Sequence, residues 1–243
     1  AQARVKAAIN KPIASLFNLP KSNESNIKTE ILFIERCLDL LKPGGRMGIV
    51  LPEGVYNNPS LAYVRQFVED RAYLKAVVSL PQETFISSGA SVKASLLFLQ
   101  KYSDEEKAQF DQIYSTAKAE IEAKYGDEIA TEIQRLKNAI AEAKENKDAE
   151  SRKSLQKELK DYIKHMEEKK AAESRQLLKE RFDYPIFMYE ADKVGISATG
   201  EEDQNELYPN TNQPKGIEKS CLVWYREFLA DPESFSGTIG AEG

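Results

Sequence analysis

The stretch "LLKPGGRMGIVLPEG", residues 40–54, decides which fold this part of the chain can form. It holds three glycines within five residues, directly before a run of apolar residues. A loop that binds cofactor phosphates follows a strand and opens a helix, because the N–H groups at a helix amino terminus attract the anion. Here the order is helix, Pro-Gly-Gly, strand, so carbonyl groups would face the anion and repel it. The glycines therefore predict the end of a helix.

The segments around this turn alternate between helical and strand patterns. Residues 29–41, "TEILFIERCLDLL", have apolar residues at helical spacing, which predicts a helix packed against the core. Its predicted core face consists of Ile31, Phe33, Ile34, Cys37, Leu38 and Leu41. Residues 46–52, 74–80 and 92–99 predict buried strands, the first of them buried on both faces, and residues 61–70 predict a helix. This alternation indicates an α/β sheet, and a complete doubly wound domain would need further units before residue 1.

A second zone, residues 103–183, shows a different pattern. It contains no proline and one glycine, and its apolar residues recur at spacings of three and four on a charged background. A break at "KENKDAE", residues 144–150, divides it, which predicts an antiparallel helical hairpin or coiled coil with arms of roughly 55 Å. The two arms would either pack only on each other or also bind a partner helix. His165, on the second arm, is expected at the surface.

The third zone, residues 184–243, is predicted to hold a short strand at 186–189, a polar loop and an amphipathic helix at 216–231. We expect Trp224 to anchor the packing of that helix. The net charge is +5 over residues 1–103, −3 over 104–183 and −7 over the third zone. Because phosphate binding depends on Lys and Arg, the acidic third zone is not expected to contact DNA.

The remaining composition excludes several classes of protein. The chain has two cysteines and one histidine, without metal-ligand spacing, so neither a metal site nor a Ser-His-Asp triad is expected. Cys37 is expected to be a small buried apolar residue. The sequence shows no signal peptide and no apolar run of membrane-spanning length, which predicts a soluble cytoplasmic chain without membrane partners.

Two segments together resemble the adenine-specific DNA methyltransferases, in particular the modification (M) subunit of type I restriction–modification systems. They are "TEILFIERCLDLLKPGGRMGIVLPEGVYNN" and "LKAVVSLPQETFISSGASVKASLLFL", and with the residue before them they cover residues 28–99. "DYPIFMYEADKVGISATG", residues 183–200, resembles a segment that comes after the catalytic domain in this family. The resemblance implies a Rossmann-like sheet of seven strands that binds S-adenosylmethionine. The three predicted strands would be its fifth, sixth and seventh, the last of them antiparallel.

Two motifs of that family do not occur in this sequence. They are the cofactor loop Phe-x-Gly-x-Gly and the catalytic Asn-Pro-Pro-Phe; "NNPS", residues 57–60, lacks the second proline and the aromatic residue. "AQARVK", residues 1–6, resembles the segment directly after the catalytic motif, so we expect the chain to be the carboxy-terminal part of a longer enzyme. The amine of adenine is a weak nucleophile that must be held in place. The chain alone, with no catalytic residue of its own, is therefore expected to be inactive.

The resemblance also implies roles for particular residues. Phe33 matches an aromatic that packs on the adenine of the cofactor, although core packing is the alternative. Phe85 matches the aromatic that stacks on the target adenine, which needs a new stacking surface once it has left the duplex. Pro52 and Glu53, at the carboxyl end of the first strand, lie where α/β sheets bind ligands and would form the edge of the pocket.

The expected partners are implied by the same resemblance. They are DNA and a specificity subunit, whose long helices would pack on the helical arm, and such systems allow a restriction subunit as well. A different class of function remains open, in which the chain is a non-catalytic coiled-coil module on a remnant α/β scaffold. A methyltransferase that acts on small molecules is a third hypothesis, but it would leave the Leu-Pro-x-x-x-Phe segment ending at Phe85 unexplained.

Overall fold

The computed structural model describes residues 13–19 and 27–235. The chain divides into two compact units, of which the first joins residues 1–104 to residues 185–243 and the second is residues 105–184. The first unit contains a mixed sheet between helices, and the second is a pair of long helices. This arrangement confirms the predicted α/β class with a helical hairpin. Within the described ranges, no helix is both long and apolar enough to cross a bilayer.

The first unit is built from two separate stretches of the chain. The first stretch begins with a 3-10 turn and continues with α1 (Thr29–Leu40), β1 (Arg46–Pro52), α2 (Gly54–Asn57), α3 (Ala62–Glu69), β2 (Ala72–Ser79) and β3 (Ala94–Lys101). The second stretch contains β4 (Phe187–Glu190), β5 (Val194–Ile196), β6 (Glu202–Asn205) and α6 (Cys221–Ala230). The described 3-10 turns are Ile13–Leu16, Pro59–Leu61, Ile86–Ser88 and Pro232–Phe235. The predicted strands and helices lie close to their predicted positions, but β5 and β6 form within the predicted polar loop, and α2 was not predicted.

The glycine-rich turn ends α1, as predicted. Gly44 has a φ of 72°, a left-handed conformation that glycine adopts without steric cost. The N–H of Gly45 donates to the carbonyl of Lys42 at 2.9 Å, and a Cβ atom at Gly45 would lie 2.8 Å from that oxygen. The chain therefore reverses tightly from the helix into β1.

The order of the main sheet is β1-β3-β2-β4. β3 runs antiparallel to both β1 and β2, so β1 and β2 are parallel to each other. The third strand is thus antiparallel, as expected, and the structure places it between the other two. β4 extends the sheet by pairing in parallel with β2, from Ala76 opposite Phe187 to Ser79 opposite Glu190. β5 and β6 form a separate antiparallel hairpin.

Each face of the main sheet carries its own core cluster. On one face, α1 and α3 pack against the sheet through Ile31, Ile34, Leu38, Val64, Val68, Leu51, Leu97 and Leu99. On the other face, α6 packs through Cys221, Phe228, Ala76, Val78, Phe187 and Tyr189. Trp224 packs against this second cluster, as predicted. The sheet is thus the middle of three layers.

Three predictions of burial are wrong in detail. β1 is not buried on both faces, since Val50 is 50% exposed and neighbouring Phe98 of β3 is 41% exposed. The reason is that the described residues which the sheet contributes to the α6-side cluster come from β2, β3 and β4 and not from β1. Phe33 does not join the core face of α1 but is 61% exposed. Cys37 is half-buried instead of buried.

The second unit consists of α4 (Asp104–Glu145) and α5 (Ala149–Arg181). The Asp148 side chain caps α5 by accepting from the N–H of Ser151 at 3.0 Å. Ile121, Tyr125 and Met166 form a core cluster that joins the two arms. Within the described part of this unit, no large apolar side chain is exposed, and His165 lies at the surface as expected. These observations favour arms that cover their own apolar stripe.

Ion pairs across the two arms accompany this narrow core. Lys124 pairs with Glu173 at 2.8 Å, and Arg181 pairs with Glu120 at 2.7 Å. A third pair joins Lys170 to Glu122 at 2.6 Å. Because these groups are exposed, each pair contributes little to stability. Together the three pairs match an antiparallel register.

Candidate active site

The carboxyl ends of β1 and β2 lie at the same edge of the sheet, because the two strands are parallel. β3 begins between them, with Ala94 opposite Pro52. The N–H of Glu53 donates to the carbonyl of Lys93 at 2.9 Å, and the N–H of Leu80 donates to the carbonyl of Ala94 at 3.0 Å. The loops after β1 and β2 therefore meet at this edge, where open α/β sheets bind ligands.

The β1 side of this edge is a network of polar groups around Glu53. The Ser95 hydroxyl, on a residue that is 2% exposed, donates to Glu53 Oε2 at 3.0 Å. The Tyr56 hydroxyl donates to the carbonyl of Ser95 at 3.4 Å. Burial, and to a lesser extent the Glu53 charge, raises the pKa of Tyr56 well above its usual value, so this hydroxyl stays protonated. Pro52 precedes Glu53 as the last residue of β1.

The β2 side is the loop of residues 80–93, which carries Phe85. Its backbone closes on itself, since the N–H of Ala90 donates to the carbonyl of Phe85 at 3.0 Å and Gly89 adopts a φ of 84°. Phe85 is half-buried and packs against the α6-side core cluster, while Ile86 beside it is 42% exposed. Phe85 is thus held in place with part of its ring at the surface.

Phe33 lies on a different element from the other predicted site residues. At the opposite edge of the sheet, Lys101 Nζ donates to the carbonyls of Leu38 and Leu41 at 2.8 and 2.7 Å. Phe33 precedes Leu38 by five positions, or about 8 Å of helix. The structure brings Pro52, Glu53 and the Phe85 loop to the carboxyl edge of β1 and β2, and it places Phe33 on an exposed part of α1.

Glu35, two positions after Phe33, was not predicted from the sequence. It is 1% exposed and accepts from the N–H groups of Asn18 and Leu19, each at 2.7 Å, and from Asn18 Nδ2 at 3.1 Å. Helical spacing does place position 35 beside Ile31 and Leu38, so a buried charge could have been inferred. Its backbone partners, which lie 16 and 17 residues away, could not.

Glu206 is a second buried carboxylate, in the carboxy-terminal stretch. It accepts from the Tyr189 hydroxyl at 3.0 Å, from the N–H of Lys193 at 2.8 Å and from the N–H of Asp192. Burial, followed by the Glu206 charge, raises the pKa of Tyr189. This carboxylate joins β4 to the β5–β6 hairpin. Its position in a polar loop gave no sequence signal.

Other chemistry is poorly supported elsewhere in the described residues. They contain no group of three or more His, Cys, Asp or Glu residues that could hold a metal ion. Burial raises the pKa of the Cys221 thiol to about 12, which leaves it unreactive at neutral pH. An apolar cavity of about 530 Å³ lies between the sheet and α6, with Arg46 and Gln100 among its lining residues. Those two residues pair near the edge opposite Glu53, so the cavity reaches away from the candidate site.

Known proteins show similarity to this chain at several levels. The family model described as N-6 DNA methylase matches residues 14–179, which is more than half of the chain. A crystal structure from Listeria monocytogenes, provisionally described as a class I S-adenosylmethionine-dependent methyltransferase, is 28% identical over 37% of this chain, with a TM-score of 0.33. A chain from a study of complex assembly and conformational transition of the type I R-M system is 32% identical over 34% of this chain, with a TM-score of 0.29.

The chain spans 27% of the Listeria protein and 18% of the chain from the type I system. No curated protein sequence matches it significantly.

Proposed function

This chain belongs to the N-6 DNA methylase family, and on that premise we propose that it is part of an enzyme that methylates the exocyclic amine of adenine in DNA. S-adenosylmethionine would be the methyl donor. We further propose that the chain is the carboxy-terminal portion of the M subunit of a type I restriction–modification system. The observation that carries the proposal is the meeting of the Glu53 and Phe85 loops at the carboxyl edge of β1 and β2.

Phe85 would form the stacking surface for the target adenine. An enzyme that modifies a base must take it out of the duplex, and an aromatic ring then replaces the lost stacking partners. Phe85 suits this role because it packs against the α6-side core cluster and is partly exposed in the loop after β2. Pro52 and Glu53 would border the same pocket. The Ser95 hydroxyl would hold the Glu53 carboxylate in place, and the Tyr56 hydroxyl would hold the backbone of Ser95.

Phe33 would contact the adenine ring of S-adenosylmethionine. Phe33 is exposed although its sequence neighbours Leu32 and Ile34 are buried, and an exposed aromatic face suits a flat heterocycle. S-adenosylmethionine would need further contacts from the family's Phe-x-Gly-x-Gly loop, which these 243 residues do not contain. The catalytic Asn-Pro-Pro-Phe is also outside them, so we propose that this chain by itself transfers no methyl group.

We propose that the second unit serves assembly and not chemistry. In single-chain relatives a target-recognition domain comes after the catalytic domain, whereas here the α4–α5 hairpin does. A specificity subunit would bind this hairpin and supply DNA recognition, and a restriction subunit would join the complex. Because the described apolar stripe of the hairpin is covered, the contact would use its charged outer surface.

The test is methyl transfer by the full-length protein and its Phe85→Ala variant. Transfer of tritiated methyl groups from S-adenosylmethionine to DNA is expected for the wild type. Loss of one base stack, worth about 1–3 kcal/mol, should lower kcat/KM for DNA by about 5- to 150-fold in the variant. Phe98→Ala is the matched control, because Phe98 is a partly exposed aromatic of β3 about 13 Å from the carboxyl edge of β1.

Equal losses in the two variants would remove Phe85 from the site. A wild-type protein that binds its partner subunit but methylates no DNA would point to the non-catalytic interaction module.

A further inference from the structure

We propose that the carboxy-terminal stretch, residues 185–235, is the support that sets the position of the Phe85 loop, with Gly200 as a positioning residue. The inference rests on the proposed function, because it concerns the residue that would stack on the target adenine. It assigns a role in DNA methylation to a part of the chain that is too acidic to bind DNA itself. Four sets of contacts lead from the sheet to the loop.

The first contact is at the end of β2, immediately before the loop. Ser79 is opposite Ser95 of β3 on one side and opposite Glu190 of β4 on the other. Its carbonyl accepts from the N–H of Ala191 at 2.9 Å. The strand end from which the loop departs is therefore fixed on both sides, and one of those sides comes from the carboxy-terminal stretch.

The second contact lies beneath Phe85. The cluster on which Phe85 packs contains Ala76, Val78 and Leu80 of the β2 region. Its other buried residues all come from the carboxy-terminal stretch: Phe187, Tyr189, Ala191, Cys221 and Phe228. The cluster on which Phe85 packs thus consists largely of residues that lie more than one hundred positions later in the sequence.

The third set of contacts attaches the β5–β6 hairpin to this base. The buried Glu206 carboxylate accepts from the N–H of Lys193 and from the Tyr189 hydroxyl, while its own backbone carbonyl accepts from the N–H of Cys221 at 2.8 Å. One residue therefore ties together β4, the start of the hairpin and the start of α6. The β5–β6 hairpin is therefore held at its two ends by the bonds of Glu206.

The fourth set of contacts brings the stretch against the loop itself. Gly200, in the turn between β5 and β6, has a φ of 87°, and a Cβ atom there would lie 3.1 Å from the Cβ atom of Ser87. Ser87 is two residues after Phe85. At the other end of the loop, Lys93 Nζ pairs with Glu190 at 3.0 Å. The carboxy-terminal stretch therefore contacts the loop at two points, two and eight residues after Phe85.

A side chain at position 200 would push Ser87 away by a few tenths of an ångström, and Ser87 lies in the turn directly after Phe85. Stacking on the target base depends on the position of the ring, whereas cofactor binding at Phe33 does not. Gly200 therefore acts through Ser87 on the DNA step of the reaction.

The experiment compares Gly200→Ala with Gly216→Ala in the full-length protein. Both glycines have positive φ, 87° and 93°, so alanine is strained equally at either position, but nothing lies within 4 Å of a Cβ atom at Gly216. We expect Gly200→Ala to lower kcat/KM for DNA about tenfold with unchanged affinity for S-adenosylmethionine, since small displacements have large effects on positioning. Gly216→Ala should retain the wild-type value, and adding Ser87→Gly to Gly200→Ala should restore most of the loss.

A spectroscopic readout separates positioning from stability. DNA with 2-aminopurine at the target position should show a changed fluorescence response with Gly200→Ala but not with Gly216→Ala. Equal effects of the two alanines, or no restoration by Ser87→Gly, would overturn the inference.

Hydrogen exchange tests, without an activity assay, whether the carboxy-terminal stretch holds the Phe85 loop in position. The N–H groups of Ile86, Gly89 and Ala90 are hydrogen-bonded within the loop, and their exchange should accelerate in Gly200→Ala only. A wild-type protein without methyl transfer would refute the proposed function. Unchanged exchange in the loop of Gly200→Ala would refute the support itself.

Discussion

The two units of this chain hold carboxylates in opposite ways. In the α/β unit, Glu35 and Glu206 are 1% and 3% exposed, and each accepts hydrogen bonds from two backbone N–H groups. In the hairpin, Glu120 is exposed and Glu173 is half-buried, and they pair with Arg181 and Lys124. A buried carboxylate must be fully bonded and so fixes the backbone around it, whereas an exposed pair does little more than favour a register.

The apolar cores of the two units also differ, and the larger core is again in the α/β unit. The sheet of the α/β unit has a core cluster on each face, whereas a few residues such as Ile121 and Met166 form the cluster between the arms of the hairpin. Precise positions are thus maintained where the candidate site lies. The hairpin, by contrast, has an extended surface that suits a role in assembly.

The largest expected effect tests the difference between the two cores. Leu99 is 1% exposed in β3 and lies between Met47 of β1 and Leu74 of β2. Large-to-alanine substitutions in a core cost about 2–5 kcal/mol of unfolding free energy. The loss should be near the upper end of this range for Leu99→Ala and near the lower end for Ile121→Ala in the hairpin. Urea unfolding, with separate transitions fitted for the two units, measures both. A larger loss at Ile121 would reverse the comparison.

A smaller effect is expected at the buried carboxylate of α1. Glu35→Gln replaces one accepting oxygen with an amide N–H₂ that faces donors from Asn18 and Leu19. The unfolding free energy should fall by about 1–3 kcal/mol, because a buried donor loses its acceptor. Asp39→Asn, the same chemical change at an exposed position of α1, is the control and should have no measurable effect.

The smallest effect is expected at the ion pair between Glu120 and Arg181. The hydrogen bond from Arg181 lowers the pKa of Glu120, so the folded state favours the charged carboxylate. The stabilisation is therefore present above the ordinary pKa of glutamate and is lost as the pH falls through the lowered value. Glu120→Gln should reduce this acid-range dependence of hairpin unfolding, and added salt should weaken the wild-type effect. If hairpin unfolding depends on acid pH equally in the wild type and in Glu120→Gln, the ion pair makes no measurable contribution to stability.

Local sequence order accounts for much of the fold. The order of helix, Pro-Gly-Gly and strand is enough to exclude a phosphate loop and to place the end of α1, because a glycine at Gly44 can take the left-handed conformation that the turn requires. Periodicity located both arms of the hairpin. The resemblance, which rests on residues 28–99, supplied the antiparallel third strand and the candidate residues Phe33 and Phe85. Pro52 and Glu53 became candidates because they lie at the carboxyl end of the first strand.

Periodicity was less reliable for burial. Phe33 lies on a helix of apolar character, yet it is exposed, and β1 has an open face although its sequence is continuously apolar. Spacing along a segment indicates which residues share a face. Whether another element covers that face depends on where distant segments pack.

The sequence by itself thus determined the main strands and helices, their order and the family to which the chain belongs, but not the β5–β6 hairpin. Only the tertiary structure decided that β4 pairs with β2 and that Gly200 lies next to Ser87. The same holds for Glu35 and Glu206, which each accept hydrogen bonds from backbone N–H groups of another segment. The physical reason is range: turns and helices depend on contacts within a few residues, but the contact between Lys93 and Glu190 joins groups 97 positions apart. Such contacts form only when the whole sheet brings both segments to the same edge.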